Sequence, residues 1–186
     1  MSAYKERFIR IVKENVKREG VDKLLESLEK SDFYKAPAST RYHDSHEGGL
    51  VKHSVAVFDW LVQEVGDKYS METIAIVALF HDLCKINYYK VEMRNKKDDT
   101  TGKWYKEPFY TVEDKFPYGH GEKSVIMVTD KMKLKLDEIM AIRWHMGAYE
   151  GQQAWNTLGE AYKQFPLTLH LHIADMKAIY LENNEK

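Results

Sequence analysis

The segment from Met71 to Leu83, METIAIVALFHDL, is apolar on almost every side until it ends on an adjacent histidine and aspartate, His81 and Asp82. Ser70, Glu72 and Thr73 open it as a helix start. A helix without a polar face is a helix buried on most sides, so other elements must enclose it. Its last two residues add a second constraint. Neighbours on a helix diverge by about 100°, and His81 and Asp82 therefore face one place only where the helix lies against that place or ends beside it. A carboxylate buried directly after Phe80 and His81 is costly unless it is paired or metal-bound. That cost is the physical reason to expect a site here.

The rest of the chain reads as helices that can enclose such a segment. Tyr4, Phe8, Ile11 and Val12 repeat at helical spacing within residues 3–18, and Val21, Leu24, Leu25 and Leu28 do so within 21–30, with Gly20 marking the break. Residues 31–47 contain Pro37 and many small or polar residues, which predicts an irregular connection ending at Gly48 and Gly49. Val51, Val55, Phe58, Leu61, Val62 and Val65 form the apolar face of a helix over about 50–65. Helical spacing returns over residues 120–132, 136–146 and 166–181. The stretch 151–165 is ambiguous, although Trp155, Leu158, Tyr162 and Phe165 favour a short helix. Between these helices, residues 87–112 hold two runs rich in aromatic and β-favouring residues around a polar KKDDTTG turn, the pattern of a hairpin. Pro108 limits its second run to an edge or irregular strand. The expected fold is an all-α bundle with one β-hairpin insertion.

Composition narrows the partners. At 186 residues with 44% hydrophobic positions, one domain spanning 1–186 is the expectation, with the N-terminal helices 3–30 packed on a core of 41–182. Lys plus Arg number 28 against 29 Asp plus Glu, so the chain lacks the basic excess that grips duplex nucleic acid, and a nucleotide or short oligonucleotide suits it better. Cys84 is the one cysteine, which excludes an intrachain disulfide or a multi-cysteine zinc site and points to a reducing compartment. The opening MSAYKERFIRIVKENVK is charged throughout, and no run approaches the roughly 20 apolar residues of a membrane span. A cytoplasmic protein without membrane association is expected.

Four histidines and two aspartates, His53, His81, Asp82, His120, His145 and Asp175, are separated by stretches about the length of one helix and its return. A bundle can bring one ligand from each helix to a shared centre. Imidazole with carboxylate suits Mn, Fe, Co, Ni or Zn, and a bridging carboxylate suits a pair of ions. The ordered segments GGLVKHS, ALFHDLCK, YGHGEKS, RWHMG and HIADMKA resemble the HD-domain phosphohydrolase superfamily over roughly residues 41–182. RYHDSHEGGLVKHS with FHDLCK is similar, within it, to the HD domain of a bacterial exoribonuclease family. The resemblance implies an HD-type helical bundle. It also implies that His53, His81, Asp82 and Asp175 hold one divalent transition-metal ion, and that His120 and His145 complete a second site with Asp82 bridging. Cys84 stands where many members have glycine, and the signatures of cyclic-dinucleotide phosphodiesterases and alarmone hydrolases are missing.

The activity so implied is hydrolysis of a phosphate ester of a nucleotide or short phosphodiester by a metal-activated water, with Asp82 and Lys85 as the catalytic residues. Lys85, one turn past His81, can neutralise charge developing on phosphate. An oligonucleotide phosphodiesterase and a non-catalytic nucleotide-binding HD signalling module are the alternatives. His43, His46, His170 and His172 read as core or surface histidines with satisfied hydrogen bonds, with His46 and His172 retained as secondary contacts. Cys84 reads as a small buried side chain, since no base partner is evident. Lys90, Arg94, Lys96, Lys97 and Lys103, interleaved with Tyr88, Tyr89, Trp104 and Tyr105, make the hairpin either a substrate-binding lid or a solvated hairpin with one aromatic face on the core.

Overall fold

The computed structural model describes residues 3–181. Among them the chain is mostly helical, with one antiparallel hairpin. The order is α1 (Ala3–Asn15), α2 (Val21–Glu29), α3 (Gly49–Val65), α4 (Met71–Phe80), β1 (Tyr89–Lys97), β2 (Trp104–Val112), α5 (His120–Thr129), α6 (Leu136–Trp144), α7 (Trp155–Gln164) and α8 (Pro166–Tyr180). The stretch of ambiguous spacing thus supplies α7. No helix among the described residues is long and apolar enough to cross a membrane.

The apolar helix α4 is central. The Ser70 hydroxyl accepts from the Thr73 backbone N–H and closes its first turn. Every residue from Ile74 to Phe80 is fully buried, with α1, α3 and α6 packed around it. α8 lies along α3 and also touches α6, completing the enclosure that an all-apolar helix requires. At the other end of the core, Phe8 of α1 meets Phe33 and Phe80 with ring centroids 5.1 and 5.9 Å apart. Such pairs contribute about 0.5–1.5 kcal/mol each beyond the area they bury, and they seat α1 on α4.

Two glycines decide how the site is approached. Residues 31–48 form no regular element, and the loop folds back so far that a Cβ on Gly49 would stand 1.9 Å from the Asp44 carbonyl oxygen. Only glycine lets the start of α3 lie against this loop. Gly121 plays the same part between α5 and α6, where a Cβ would stand 2.1 Å from the Arg143 carbonyl oxygen. Gly121→Ala is therefore expected to cost about 1–3 kcal/mol through forced separation of the two helices, read as a lowered urea midpoint. A midpoint equal to that of the unaltered protein would show that the backbones yield without strain.

In the hairpin, Tyr89 pairs with Val112 and Lys97 with Trp104. Pro108 pairs with Met93, tolerated because each strand of a two-stranded sheet is an edge. Side chains alternate between faces. One face carries Val91, Met93, Tyr110 and Pro108 in its middle; the other carries Glu92, Arg94, Glu107 and Phe109.

Candidate metal centre

The structure brings all six residues named from the sequence to one place. His53 lies within α3, and Asp175 within α8. His81 and His145 are the first residues beyond α4 and α6, and His120 is the first of α5. The adjacency of His81 and Asp82 is resolved because α4 ends there. His81 keeps helical angles (φ −59°, ψ −33°), while Asp82 turns out of them (φ −107°, ψ 22°) into a short 3₁₀ turn, Leu83–Lys85.

Asp82 is the hub, and its two oxygens face different histidines. Oδ2 lies 3.4 Å from His81 Nε2 and 3.7 Å from His53 Nε2; Oδ1 lies 2.8 Å from His120 Nε2 and 3.5 Å from His145 Nε2. Asp175 Oδ1 approaches His53 Nε2 at 3.0 Å, yet without the geometry of a hydrogen bond. Three groups have ligand atoms close enough to share an ion: His53, His81 and Asp82; Asp82, His120 and His145; and His81, His145 and Asp175. The first two divide at the Asp82 carboxylate. The third crosses that division and places Asp175 between His81 and His145.

The histidines are set as ligands rather than as members of a closed hydrogen-bond network. His81 Nδ1 bonds the Ala78 carbonyl at 2.8 Å, and His145 Nδ1 bonds the Ile142 carbonyl at 2.7 Å. Each is the free carbonyl of a helix end. A carbonyl fixes the proton on Nδ1 and leaves the Nε2 lone pair directed into the site, the usual arrangement behind a metal-bound imidazole. Both Nε2 atoms, with Asp175 Oδ1, are buried and without a hydrogen bond. Three orphaned acceptors converging in one place fit a cation. His53 lacks such an orienting partner, since its Nδ1 is also buried and unbonded.

Charge is concentrated around the carboxylates. Burial alone would raise the Asp82 pKa, but Lys85 first, then His81, the hydrogen bond from His120 and the nearby His145 hold it well below the carboxylate range. Lys85 Nζ sits 2.7 Å from Asp82 Oδ2. Burial works against its charge, and Asp82 outweighs burial, so the ammonium is held above its ordinary value. Asp175 is likewise held low by His53 against the effect of burial. Burial lowers His120, more than its hydrogen bond to Asp82 raises it. Cys84, buried, has its thiol pushed up to about 12, and its backbone N–H donates to Ser124 Oγ, tying the 3₁₀ turn to α5.

The centre opens into a cavity of about 830 Å³. Its walls include residues not singled out in the sequence: Tyr42 and His43 from the loop before α3, Met146 and Tyr149 after α6, and Tyr180 at the end of α8. His43 had read as a satisfied histidine. Instead its ring lies 5.0 Å from that of His53, its Nε2 is buried and unbonded, and burial lowers its pKa to about 4. The only signal in the sequence was its proximity to the start of α3. Of the other three histidines, His46 bonds the Glu47 carbonyl and His170 faces Glu64, whereas His172 Nδ1 bonds the backbone carbonyl of His145, one of the six. His172 also fills the space beside Gly147, where a Cβ would meet its ring at 2.4 Å.

Compared with models of protein families, with curated proteins and with solved structures, the chain matches nothing.

Proposed function

We propose that the chain is a metal-dependent phosphohydrolase of the HD type, with two divalent transition-metal ions at the centre, acting on a phosphate ester of a nucleotide or a short phosphodiester. The observation that carries the reading is the division of the Asp82 carboxylate between two pairs of histidines at the base of a large cavity. His53, His81, Asp82 and Asp175 would hold one ion, and Asp82, His120 and His145 the other. Divalent ions so held supply Lewis acidity and activate water near neutral pH.

The chain's own residues supply the rest. The Ala78 and Ile142 carbonyls hold the Nδ1 protons of His81 and His145, so that Nε2 is the ring atom each turns toward an ion. Lys85 remains charged at the edge of the cavity, where it can offset negative charge developing on a phosphoryl group. His43, kept neutral by burial, offers a polar edge beside His53. Tyrosine and apolar side chains, among them Tyr89, Tyr149, Met146 and Ile179, wall the polar floor.

Protein purified without chelator, and loaded with Mn, Fe, Co or Ni where needed, is expected to carry close to two ions per chain by elemental analysis and to hydrolyse bis(p-nitrophenyl) phosphate or members of a nucleotide panel. One ion or none after loading removes the binuclear reading. Two ions with no hydrolysis across the panel would leave a nucleotide-binding module in its place.

A further inference from the structure

The two faces of the hairpin are chemically unlike. On one, Lys90 pairs with Glu92, and Arg94 and Lys96 both pair with Glu107. That face is self-neutralised. The other begins at Tyr89 and Val112, which line the cavity of the metal centre, and runs outward past Val91, Tyr110, Met93 and Pro108 to Asn95, Lys106, Lys97 and Trp104. It contains no acidic residue, neither lysine has an ion pair among the described residues, and Trp104 is 70% exposed.

We infer that this face is a track for single-stranded nucleic acid leading into the cavity, so that the phosphodiester reaching the metal centre belongs to an oligonucleotide. The second half of the inference rests on the phosphohydrolase reading; the track itself does not. Trp104, exposed beside Lys97 and Lys106 at the outer end, with Tyr110 and Tyr89 half-buried on the way to the cavity, offers what a single strand needs, because every base has a face to stack and every linkage a charge to meet. The eight residue steps from Val112 to Trp104 span about 27 Å at the rise of a β-strand, well beyond a mononucleotide held at the cavity floor. Duplex is the poorer fit. Its bases are already stacked and hidden from Trp104, and the chain as a whole carries a formal net charge of −1, leaving little general attraction for a dense polyanion. Arg94, Lys96 and Tyr105, which resembled binding residues in the sequence, lie on the self-neutralised face.

The test is fluorescence anisotropy with a fluorescein-labelled single strand of about 12 nucleotides, within the range of site sizes known for such grooves. The full chain is used in EDTA so that the probe is not cleaved, and again as the Asp82→Asn protein in case chelation perturbs the fold. Trp104→Ala is expected to weaken binding about 5- to 100-fold. Lys97→Ala with Lys106→Ala should lower the slope of log K against log salt by about 1.4, from roughly 0.7 for each phosphate no longer neutralised. Arg94→Ala with Lys96→Ala removes the same charge from the opposite face and should leave the slope unchanged. Equal losses from the two lysine- and arginine-bearing faces, duplex bound as tightly as single strand, or no binding at about 100 µM would each overturn the track. So would a dimer broken by Trp104→Ala without any single-strand binding, which would make the face an interface between two copies. Hydrolysis of bis(p-nitrophenyl) phosphate by the metal-loaded chain tests the phosphohydrolase reading separately: its absence beside intact strand binding removes that reading and leaves the track.

Discussion

Asp82→Asn is expected to lower hydrolysis at least about a thousand-fold and to purify with less metal than His145→Ala. Asparagine preserves the volume but offers a single carbonyl oxygen in place of two carboxylate oxygens, so it can serve one histidine pair and not both. His145 stands 3.5 Å from Oδ1, and its loss leaves His53 and His81 beside Oδ2. The substitution also removes the counter-charge of Lys85, 2.7 Å away. A buried ammonium without its partner opposes binding of a cation through simple repulsion. Elemental analysis of both variants, prepared identically, decides the point. Equal metal content would mean that Asp82 serves one ion, and the division of its oxygens would then have no bearing on metal number.

The second large effect is structural and lies far from the centre. Arg18, just beyond α1, donates to both carboxylate oxygens of Glu138 on α6, at 2.5 and 3.0 Å, and to Glu72 at the start of α4. Glu138 is fully buried; its remaining partners are Thr73 Oγ1 and the Lys135 backbone N–H. Arg18→Ala leaves that carboxylate without a counter-charge, and the expected cost is about 3–5 kcal/mol of stability, measured by urea unfolding. Because α6 ends at His145, a loosened α6 should also weaken metal retention. The pH dependence offers an independent check. Burial would raise Glu72, yet the Lys17 backbone N–H and Arg18 hold it below its ordinary value. A carboxylate depressed in the folded state adds stability above its unfolded pKa, and loses it as pH falls through the folded one. The unaltered protein should therefore weaken below about pH 4.5, and the Arg18→Ala protein should show a shallower decline over that interval. A loss of less than about 1 kcal/mol would place this pair with ordinary surface ion pairs.

Much of the helical order was legible because helix formation leaves a local trace. Apolar residues at helical spacing marked α1 to α3, α5, α6 and α8, an unbroken apolar run opened by Ser70 marked α4, and the change of period after Lys85 marked the hairpin. Only α7 was obscure, since Gly159 and several polar residues blur its apolar stripe. Candidate ligands were visible for a related reason: an aspartate following a wholly apolar helix has no inexpensive fate in a core, so its environment can be inferred without coordinates.

What the chain's sequence determined by itself was therefore which residues must be buried and which of those must find polar company. Tertiary structure alone decided who that company is. The allocation of histidines between the two oxygens of Asp82 depends on where α4 stops and how α5 and α6 approach, the latter limited by the absent side chain of Gly121. His43 reaches His53 because Gly49 admits the Asp44 carbonyl at close range, an approach with no periodic signature. Arg18 meets Glu138 across 120 positions of sequence. In the hairpin, alternation separates two sets of side chains, but only the docking of Tyr89 and Val112 at the cavity decides which set faces the centre, and a slip of one residue would exchange them. Local periodicity is set by backbone geometry within a few residues, whereas each of these partnerships is set by the position of a separate element.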